Sequence, residues 1–203
     1  MQANRRAPER AQTFTEQARR AQVVSAAIAT IAELGYRNTS FTQIARRAGL
    51  SSTGLISYHF TGKDELIGEV VRSVLAELGA FMARRMQGAG SATAALRAYI
   101  EGNIEFIDGH RQQMKALTDI FLAGGFRYDS DSERGAVSPL EDIFQSGQAA
   151  GEFRTFDPLL MATLVQRSVD GLPFLLDMRP GLDVAAYRRE VVTVFDLATR
   201  AQR

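Results

Sequence analysis

Apolar residues recur at helical spacing along almost the whole of this 203-residue chain, and the alternating apolar pattern of β-strands is essentially missing. Val24, Ala27, Ile28 and Ile31, for example, stand at positions i, i+3, i+4 and i+7, which lie on one face of a helix. Capping residues and glycine stops divide the chain into about nine such segments. The pattern predicts an all-α protein.

Two short helices are predicted directly after a longer first helix, which begins near Thr15. Ser40 and Gln43 have the spacing of a capping box, in which each side chain satisfies the other residue's free backbone N–H. Gly49 stops this second helix after barely two turns, because glycine tolerates left-handed backbone angles. A third helix ends near His59. Two short helices joined by a tight glycine turn are the anatomy of a DNA-binding helix-turn-helix.

The third helix has the composition expected of a helix that enters a DNA groove. Apolar anchors on its inner side and on the preceding helix are Ile44, Ala48, Ile56 and Phe60. Small and hydroxyl-bearing residues occupy its N-terminal and outer part, namely Ser52, Thr53, Gly54, Ser57 and Tyr58. Hydroxyls can bond to base edges, but this helix lacks Arg, Asn and Gln, which make the strongest bidentate base contacts. Arg46, Arg47 and Lys63 flank the helix and are placed for phosphate contacts.

The charge of the chain is unevenly distributed. Residues 1–60 contain eight arginines and three glutamates, a net charge of +5, whereas the other 143 residues carry 16 basic and 20 acidic groups, a net charge of −4. A basic N-terminal part on an acidic body suits a head that binds a polyanion. A solvated basic tail is the alternative, since Arg5, Arg6 and Arg10 supply three of the eight arginines.

The string TSFTQIARRAGLSSTGLISYHFTGKDEL, residues 39–66, resembles the DNA-binding signature of the TetR family of bacterial regulators. The shared pieces are the I-A-x-x-A-G spacing that ends at Gly49, the Y-H-F that ends at Phe60, and the G-K-D-E-L that ends at Leu66. The close match covers residues 15–66. The run from Gly49 to Phe60 is one residue longer than the commonest family spacing, with the extra residue in the turn at Ser51.

The resemblance implies a role for each matching residue. Ser40 and Thr42 approach the DNA backbone, and His59 lies close to the phosphates. The five residues from Ser52 to Tyr58 named above lie at the groove. Lys63 meets a phosphate at the start of the fourth helix, where the helix dipole also favours an anion. The predicted DNA-binding set is therefore Ser40, Thr42, Arg46, Ser52, Thr53, Gly54, Ser57, Tyr58, His59 and Lys63.

Three parts of the chain are predicted. Residues 1–14 form a basic flexible tail, residues 15–78 a helix-turn-helix DNA-binding domain, and residues 79–203 an effector-binding and dimerisation domain. The fourth helix begins near Thr61, where T-x-x-D spacing to Asp64 predicts a cap. The expected fold is all-α, with an N-terminal three-helix helix-turn-helix head joined to a C-terminal helical ligand-binding and dimerisation domain, and about nine helices in all.

Helix boundaries in the second half follow from proline and glycine. Residues 124–135 are polar and contain glycines, which predicts a loop. Ser138 followed by Pro139 predicts the start of the seventh helix, and Asp157 followed by proline predicts the start of a long, apolar eighth helix. Pro173 lies within this eighth helix and is expected to kink it.

Family resemblance implies that two copies pair through their last two helices, so that a homodimer reads a palindromic operator in double-stranded DNA. The aliphatic surplus of these helices agrees with pairing, although part of it must be intramolecular core. The predicted interface residues are Leu164, Leu172, Leu175, Tyr187, Val191, Val194 and Phe195.

A pocket for a small-molecule effector is predicted among the middle helices. Its aromatic and methionine lining with a few polar groups suits an apolar or amphipathic ligand, although the same stripe is compatible with an ordinary core. The candidate residues are Tyr99, Asn103, Phe106, Met114, Leu117, Phe121, Phe144 and Gln148. An effector that favours a wider spacing of the two recognition helices would release DNA. Because repression is the usual mode of the TetR family, the resemblance implies a repressor that a ligand releases from DNA.

Other classes of protein are disfavoured by the composition. With no cysteine and only two histidines, His59 and His110, we expect no metal site and no cofactor. Catalytic motifs such as G-x-S-x-G, a Walker loop and H-E-x-x-H are missing, so we expect no catalytic residues. The sequence predicts neither a signal peptide nor a membrane helix, and we expect a cytoplasmic protein. An all-α enzyme and a helical protein-interaction adaptor without DNA binding are the alternatives.

Overall fold

The computed structural model describes residues 14–126 and 130–201, and over these ranges the chain forms helices joined by loops, with one isolated antiparallel bridge between Phe153 and Arg200. The helices are α1 (Phe14–Leu34), α2 (Phe41–Arg47), α3 (Gly54–His59), α4 (Lys63–Met86), α5 (Ala92–Gly109), α6 (Arg111–Leu122), α7 (Ser130–Ala149), α8 (Pro158–Asp170), α9 (Leu172–Met178) and α10 (Val184–Thr199). The predicted all-α class is confirmed. The predicted tail, residues 1–14, lies outside the described residues except for Phe14.

Local sequence signals set the boundaries of the first three helices. Gly35 follows the end of α1 with φ +83°, a left-handed angle that suits glycine. The capping box that opens α2 is confirmed, because the Ser40 hydroxyl accepts from the Gln43 N–H and the Gln43 side chain accepts from the Ser40 N–H. Gly49, with φ +66°, turns the chain out of α2 as predicted.

The prediction that Thr61 and Asp64 form the cap is wrong, because Thr61 has a different partner. The backbone N–H and the hydroxyl of Thr61 donate instead to Oε2 of Glu65, at 2.7 and 2.8 Å. The reason is that α4 begins at Lys63, so Glu65 rather than Asp64 reaches back to Thr61. α4 then continues to Met86, past the predicted domain boundary at residue 78, which stays a prediction.

The start of α7 differs from the prediction. α7 begins at Ser130, inside the stretch 124–135 predicted as a loop, and Pro139 lies within the helix instead of opening it. A polar composition does not exclude a helix, because serine, aspartate, glutamate and arginine are all tolerated there. The glycine signal itself was correct, since Gly124 takes φ +72° after the end of α6.

The predicted eighth helix is divided in two, as the expected kink at Pro173 indicated. α8 ends at Asp170 and α9 begins at Leu172, with Pro173 in its first turn, where the missing N–H breaks no hydrogen bond. The predicted cap at Asp157 is confirmed, because its side chain accepts from the Leu160 N–H at 3.1 Å, and Asp183 caps α10 in the same way.

The segment Pro158–Met178, which comprises α8 and α9, is the one described stretch long and apolar enough to cross a membrane by length and composition. About a third of its most apolar window is buried inside the chain. Core helices of soluble proteins often pass the same test. The segment is interrupted at Gly171 and forms two short helices, and some of its other apolar side chains, such as Leu160 and Leu164, are exposed.

Two apolar cores organise the molecule. The head core combines α1 to α4 with α6, through residues such as Ile31, Ile56 and Ile120. The body core combines α5 with α7 to α10, through residues such as Phe144 and Phe195. α6 is therefore the helix of the C-terminal half whose buried side chains belong to the head.

Candidate nucleic-acid interface

The short helix α3 is clamped at its C-terminal end by Arg20 of α1. The Arg20 guanidinium donates to the carbonyl oxygen of His59, lies 4.2 Å from the centre of the Phe60 ring, and forms an ion pair with Glu65 at 3.5 Å. Ile56 on the inner side of α3 is completely buried. Polar and apolar contacts together fix the orientation of a helix too short to be stable by itself.

The turn between α2 and α3 is also tied to α1. Nε2 of Gln22 donates to the carbonyl oxygen of Ala48 at 2.6 Å, and Arg47 forms an ion pair with Glu33. Sequence reasoning missed Arg20 and Gln22 as positioning residues. No local pattern could have found them, because their bonding partners lie 26 or more residues away along the chain.

The predicted groove residues lie together on the outer side of this unit. Tyr58, 73% exposed, is the most prominent of them, and its ring meets His59 edge-on with the ring centres 5.0 Å apart. Thr53 and His59 are half-buried. The exposed members of the predicted set are Ser40, Thr42, Arg46, Ser52, Gly54, Ser57 and Tyr58. Small and hydroxyl-bearing groups therefore dominate the surface of α3.

Arg46 and Lys63 differ in how far their charged groups are engaged by other residues of the chain. Arg46 is exposed, and no other described residue forms an ion pair with it. Lys63 is half-buried: its Nζ donates to the carbonyl oxygens of Tyr36 and Thr39, both at 3.0 Å, and lies 4.3 Å from the centre of the Tyr36 ring. An ammonium group has three donors. One N–H of Lys63 is left for the predicted phosphate contact, while the other two hold the α1–α2 loop.

The eight predicted pocket residues do not surround one cavity. Leu117 is buried in the head core, Tyr99 and Phe144 are buried in the body core, and Phe106 stacks on His110. As a common lining the set is therefore wrong, because helical spacing does not distinguish core from pocket. Met114 does line a cavity of about 170 Å³ between α5, α6 and α9. The other apolar residues of its lining, which sequence reasoning missed, are Ile107, Pro173, Leu176 and Pro180.

The polar members of that set have partners inside the chain. Tyr99 donates from its hydroxyl to Gln166 at 2.7 Å, and Gln166 donates to Asp170 at 2.7 Å. Burial raises the pKa of the Asp170 carboxyl. Asn103 donates to the Tyr99 carbonyl oxygen at 2.9 Å. Gln148 closes the α7–α8 connection by donating to the carbonyl oxygens of residues 154 and 156.

The predicted dimer face needs correction at three positions. Leu172, Val191 and Phe195 are buried in the body core, because each points inward from its helix, and they offer no surface to a partner. Leu164 and Val194 are more than half exposed. Leu175 and Tyr187 are half-buried, and the Tyr187 hydroxyl donates to the Ser168 carbonyl oxygen at 2.5 Å.

Leu160 of α8 and Leu197 of α10 are also more than half exposed and were not in the predicted interface set. Leu160 stands four residues before Leu164 on α8, and Leu197 stands three residues after Val194 on α10, so each pair shares a helix face. We call these four residues the apolar end face. In the sequence, these i, i+4 and i, i+3 spacings are the signal that could have identified Leu160 and Leu197.

α6 joins the head to the body. Its Asp119 carboxylate accepts from the backbone N–H of Tyr36, just after α1. Gly125, beyond the end of α6, lies against the Tyr36 ring, where a Cβ would come within 2.5 Å of Cζ. On the other side, Lys115 forms an ion pair with Asp177 of α9 at 2.7 Å. α6 therefore contacts the head on one side and α9 on the other.

Comparison with known proteins agrees with this anatomy. The family model for bacterial regulatory proteins of the TetR family matches residues 23–70. The HTH-type transcriptional regulator BetI of Cronobacter sakazakii is 35% identical over 161 residues, which cover 78% of this chain and 76% of that protein. BetI 1 of Chromohalobacter salexigens is 39% identical over 98 residues, and this match spans about half of each protein, 48%.

Solved structures share the fold. A bacterial regulatory protein of the TetR family from Rhodococcus RHA1 has a TM-score of 0.79 at 16% identity, covering 91% of this chain and 98% of that one. AibR in complex with isovaleryl coenzyme A and operator DNA has a TM-score of 0.74 at 18% identity, covering 87% and 97%. Members of the family bind operator DNA as dimers and respond to small-molecule effectors. Given the Cronobacter relative, this chain belongs to the TetR family of bacterial regulatory proteins and is a DNA-binding transcriptional regulator.

Proposed function

We propose that a dimer of this chain binds a palindromic operator and represses transcription until a small-molecule effector releases it. The observation that carries the proposal is the exposed, hydroxyl-rich surface of α3, held rigidly by Arg20 and Gln22. A helix clamped in this way keeps its orientation when it enters a major groove. The proposal extends family membership to the particular residues of this chain.

In this proposal the contacts divide into two kinds. Ser52, Thr53, Gly54, Ser57 and Tyr58 face the base edges. The backbone contacts come from Ser40, Thr42, Arg46, His59 and Lys63. Phosphate contacts position the protein and supply salt-dependent affinity, while base contacts select the sequence. The exposure of Arg46 and the remaining donor of Lys63 support this division.

We propose the apolar end face as the dimer contact. Leu160, Leu164, Val194 and Leu197 stand on α8 and α10, the helices through which pairing was expected, and burying them would remove apolar surface from water. To enter successive major grooves of a palindromic site, the two α3 helices of such a dimer must lie about 34 Å apart. Half-site spacing on the operator then follows from the protein's symmetry.

Effector control is proposed to act through α6. The cavity between α5, α6 and α9 adjoins Met114 and Lys115 of α6, whose neighbouring turn is buried in the head core. A ligand that binds one spacing of the heads more tightly shifts the population toward that spacing. AibR, which was solved with both an acyl coenzyme A and operator DNA, supports effector control in a protein of this fold.

The proposal also states how the chain acts, where it acts and where its two domains divide. We take the chain to act by binding rather than by catalysis, as the regulatory family suggests, and to act in the cytoplasm, where its DNA target lies. The proposed functional division at residue 78 falls within α4, so the head and the effector domain share a continuous helix. Such a helix is a rigid connection between the two.

The test measures binding of the full-length protein to a duplex that it enriches from a randomised library. We expect affinity to fall steeply with salt, because phosphate contacts release counterions. The double variant Ser57→Ala/Tyr58→Ala should lose about ten-fold in specific affinity, since losing the readout of one base pair typically costs about 1–3 kcal/mol, yet keep the salt dependence.

The control is Leu122→Ala/Ser146→Ala, which removes one large apolar side chain and one hydroxyl from exposed sites on α6 and α7. It should bind the duplex as tightly as the wild type. Absence of duplex binding, or affinity that is insensitive to salt, would instead favour the protein-interaction adaptor.

A further inference from the structure

The exposed side of α3 carries no arginine, lysine or amide side chain. Gly54, Leu55, Ser57 and Tyr58 are its exposed residues. Guanine is read most strongly by bidentate arginine or lysine, and adenine by bidentate asparagine or glutamine. α3 therefore lacks the side chains that make the strongest hydrogen-bonded base contacts, and the groups it does offer are hydroxyls and apolar carbon.

Leu55 is the aliphatic side chain on this surface. It is 39% exposed, and it stands three residues before Tyr58, so the two side chains are neighbours on the helix. A single exposed leucine is ordinary on a protein surface and needs no partner. The position of Leu55 is what matters, because it lies on the helix that enters the groove and beside its most exposed aromatic ring.

We propose that Leu55 recognises thymine methyl groups in the major groove, with the ring of Tyr58 alongside. The 5-methyl of thymine is the apolar group that base edges present in the major groove. Its position distinguishes A·T pairs from G·C pairs and shows which strand carries the thymine. Leu55 thereby becomes a specificity-determining residue of this regulator. The inference rests on the proposed function in taking α3 as the groove-entering helix.

Methyl contact demands a firmly held helix. Dispersion contacts weaken within a fraction of an ångström of added distance, so a loosely held leucine would not distinguish thymine from a base without the methyl group. The bond from Arg20 to the His59 carbonyl and the complete burial of Ile56 provide the required rigidity. Shape and apolar contact thus replace the missing bidentate bonds.

The experiment replaces thymine with uracil in the duplex enriched by the full-length protein, one position of the half-site at a time. This exchange removes the methyl group and keeps every hydrogen-bonding group of the base. Wild-type affinity, measured by fluorescence anisotropy, should fall about four-fold for each contacted methyl group. The same exchange in both half-sites should lower the DNA affinity of a dimer about sixteen-fold.

Leu55→Ala should bind the thymine duplex more weakly and should no longer distinguish thymine from uracil. Leu75→Ala, which removes a leucine of similar exposure, 44%, from α4, is the matched control and should keep the discrimination. The wild-type comparison between thymine and uracil needs no variant, so a folding defect in Leu55→Ala would not obscure the result.

Three outcomes would overturn the inference: enriched half-sites without thymine, equal wild-type affinity for thymine and uracil at every position, or undiminished discrimination by Leu55→Ala. In each of these the protein still selects a duplex, and the proposed function stands. If the library yields no duplex that binds with steep salt dependence, the proposed function itself fails, and the inference fails with it.

Discussion

α3 and α8 both present surface to the outside, yet different contacts hold them. α3, six residues long, buries Ile56 but owes its orientation to polar bonds from distant residues, above all Arg20. α8 is held mainly by apolar side chains, including Val165 and Val169, in the body core. Hydrogen bonds are directional, whereas apolar burial depends on area. The orientation of α3 thus depends on a few directional bonds, whereas α8 is held by apolar burial.

Replacing Phe144 is the most direct test of the contribution of the body core to stability. Its ring is completely buried and meets those of Phe153 and Phe156 edge-on, at 5.7 and 5.2 Å between centres. Phe144→Ala should lower the free energy of unfolding by about 3–5 kcal/mol, measured by urea titration, because it removes buried surface and leaves a cavity.

Under conditions in which it stays folded and dimeric, this variant should keep its DNA affinity, because α3 is not touched. Gln145→Ala, at an exposed site beside it, is the control and should change stability by less than about 0.5 kcal/mol. A stable Phe144→Ala protein with lost DNA affinity would contradict the division between the two regions.

The head side is tested at Arg20, where the effect on stability should be smaller but the effect on binding larger. Arg20→Ala should cost about 1.5–3 kcal/mol of unfolding free energy, since it leaves the His59 carbonyl and the Glu65 carboxylate without their partner. DNA affinity of the folded protein, measured by anisotropy, should fall as well, because α3 is no longer held.

Arg20→Lys keeps the charge but not the planar fork, and we expect it to recover only part of both losses. Arg72→Ala removes an exposed partner of Glu69 and is the control, with an expected cost below about 1 kcal/mol. If Arg20→Ala weakened folding without weakening DNA binding, the proposed orienting role of the clamp would be wrong.

The smallest effect is expected at Glu65, which caps α4. Hydrogen bonds from the backbone N–H and hydroxyl of Thr61 lower the pKa of the Glu65 carboxyl below its ordinary value of 4.5. A lowered folded-state pKa contributes stability that is present above pH 4.5 and is lost as the pH falls through the folded-state value. Glu65→Gln keeps an acceptor oxygen but removes the charge.

The unfolding free energy of Glu65→Gln should therefore lie slightly below that of the wild type at pH 7, by less than about 1 kcal/mol. The two unfolding free energies should become equal as the pH is lowered. Urea midpoints between pH 7 and pH 3 provide the measurement. Asp64→Asn, at the neighbouring carboxylate that makes no bond to Thr61, is the control. A difference that stayed constant across this range would show that the charge of Glu65 plays no part.

Features set by neighbours in sequence were predictable. The capping box at Ser40, the stop at Gly49 and the cap at Asp157 each depend on residues a few positions apart, and each is present in the structure. The composition of the exposed surface around Tyr58 likewise follows directly from the order of residues in α3.

Features that depend on tertiary contacts were not predictable from local patterns. A buried and an exposed apolar residue look alike at helical spacing, which is why Leu172 was expected on the dimer face and is in the core. The clamp from Arg20 to His59 joins residues 39 positions apart. The early start of α7 arose because polar residues tolerate helix as well as loop.

The placement of α6 bears on how such regulators can be recombined. Ala116, Leu117 and Ile120 complete the apolar interior of the N-terminal unit, although some thirty or more residues of α5 and its flanks separate them from α4 in sequence. Grafting only the first four helices onto a foreign effector domain would leave that interior unmatched. The unit that can be exchanged is discontinuous, and a functional chimera of this protein must carry α6 along with its head.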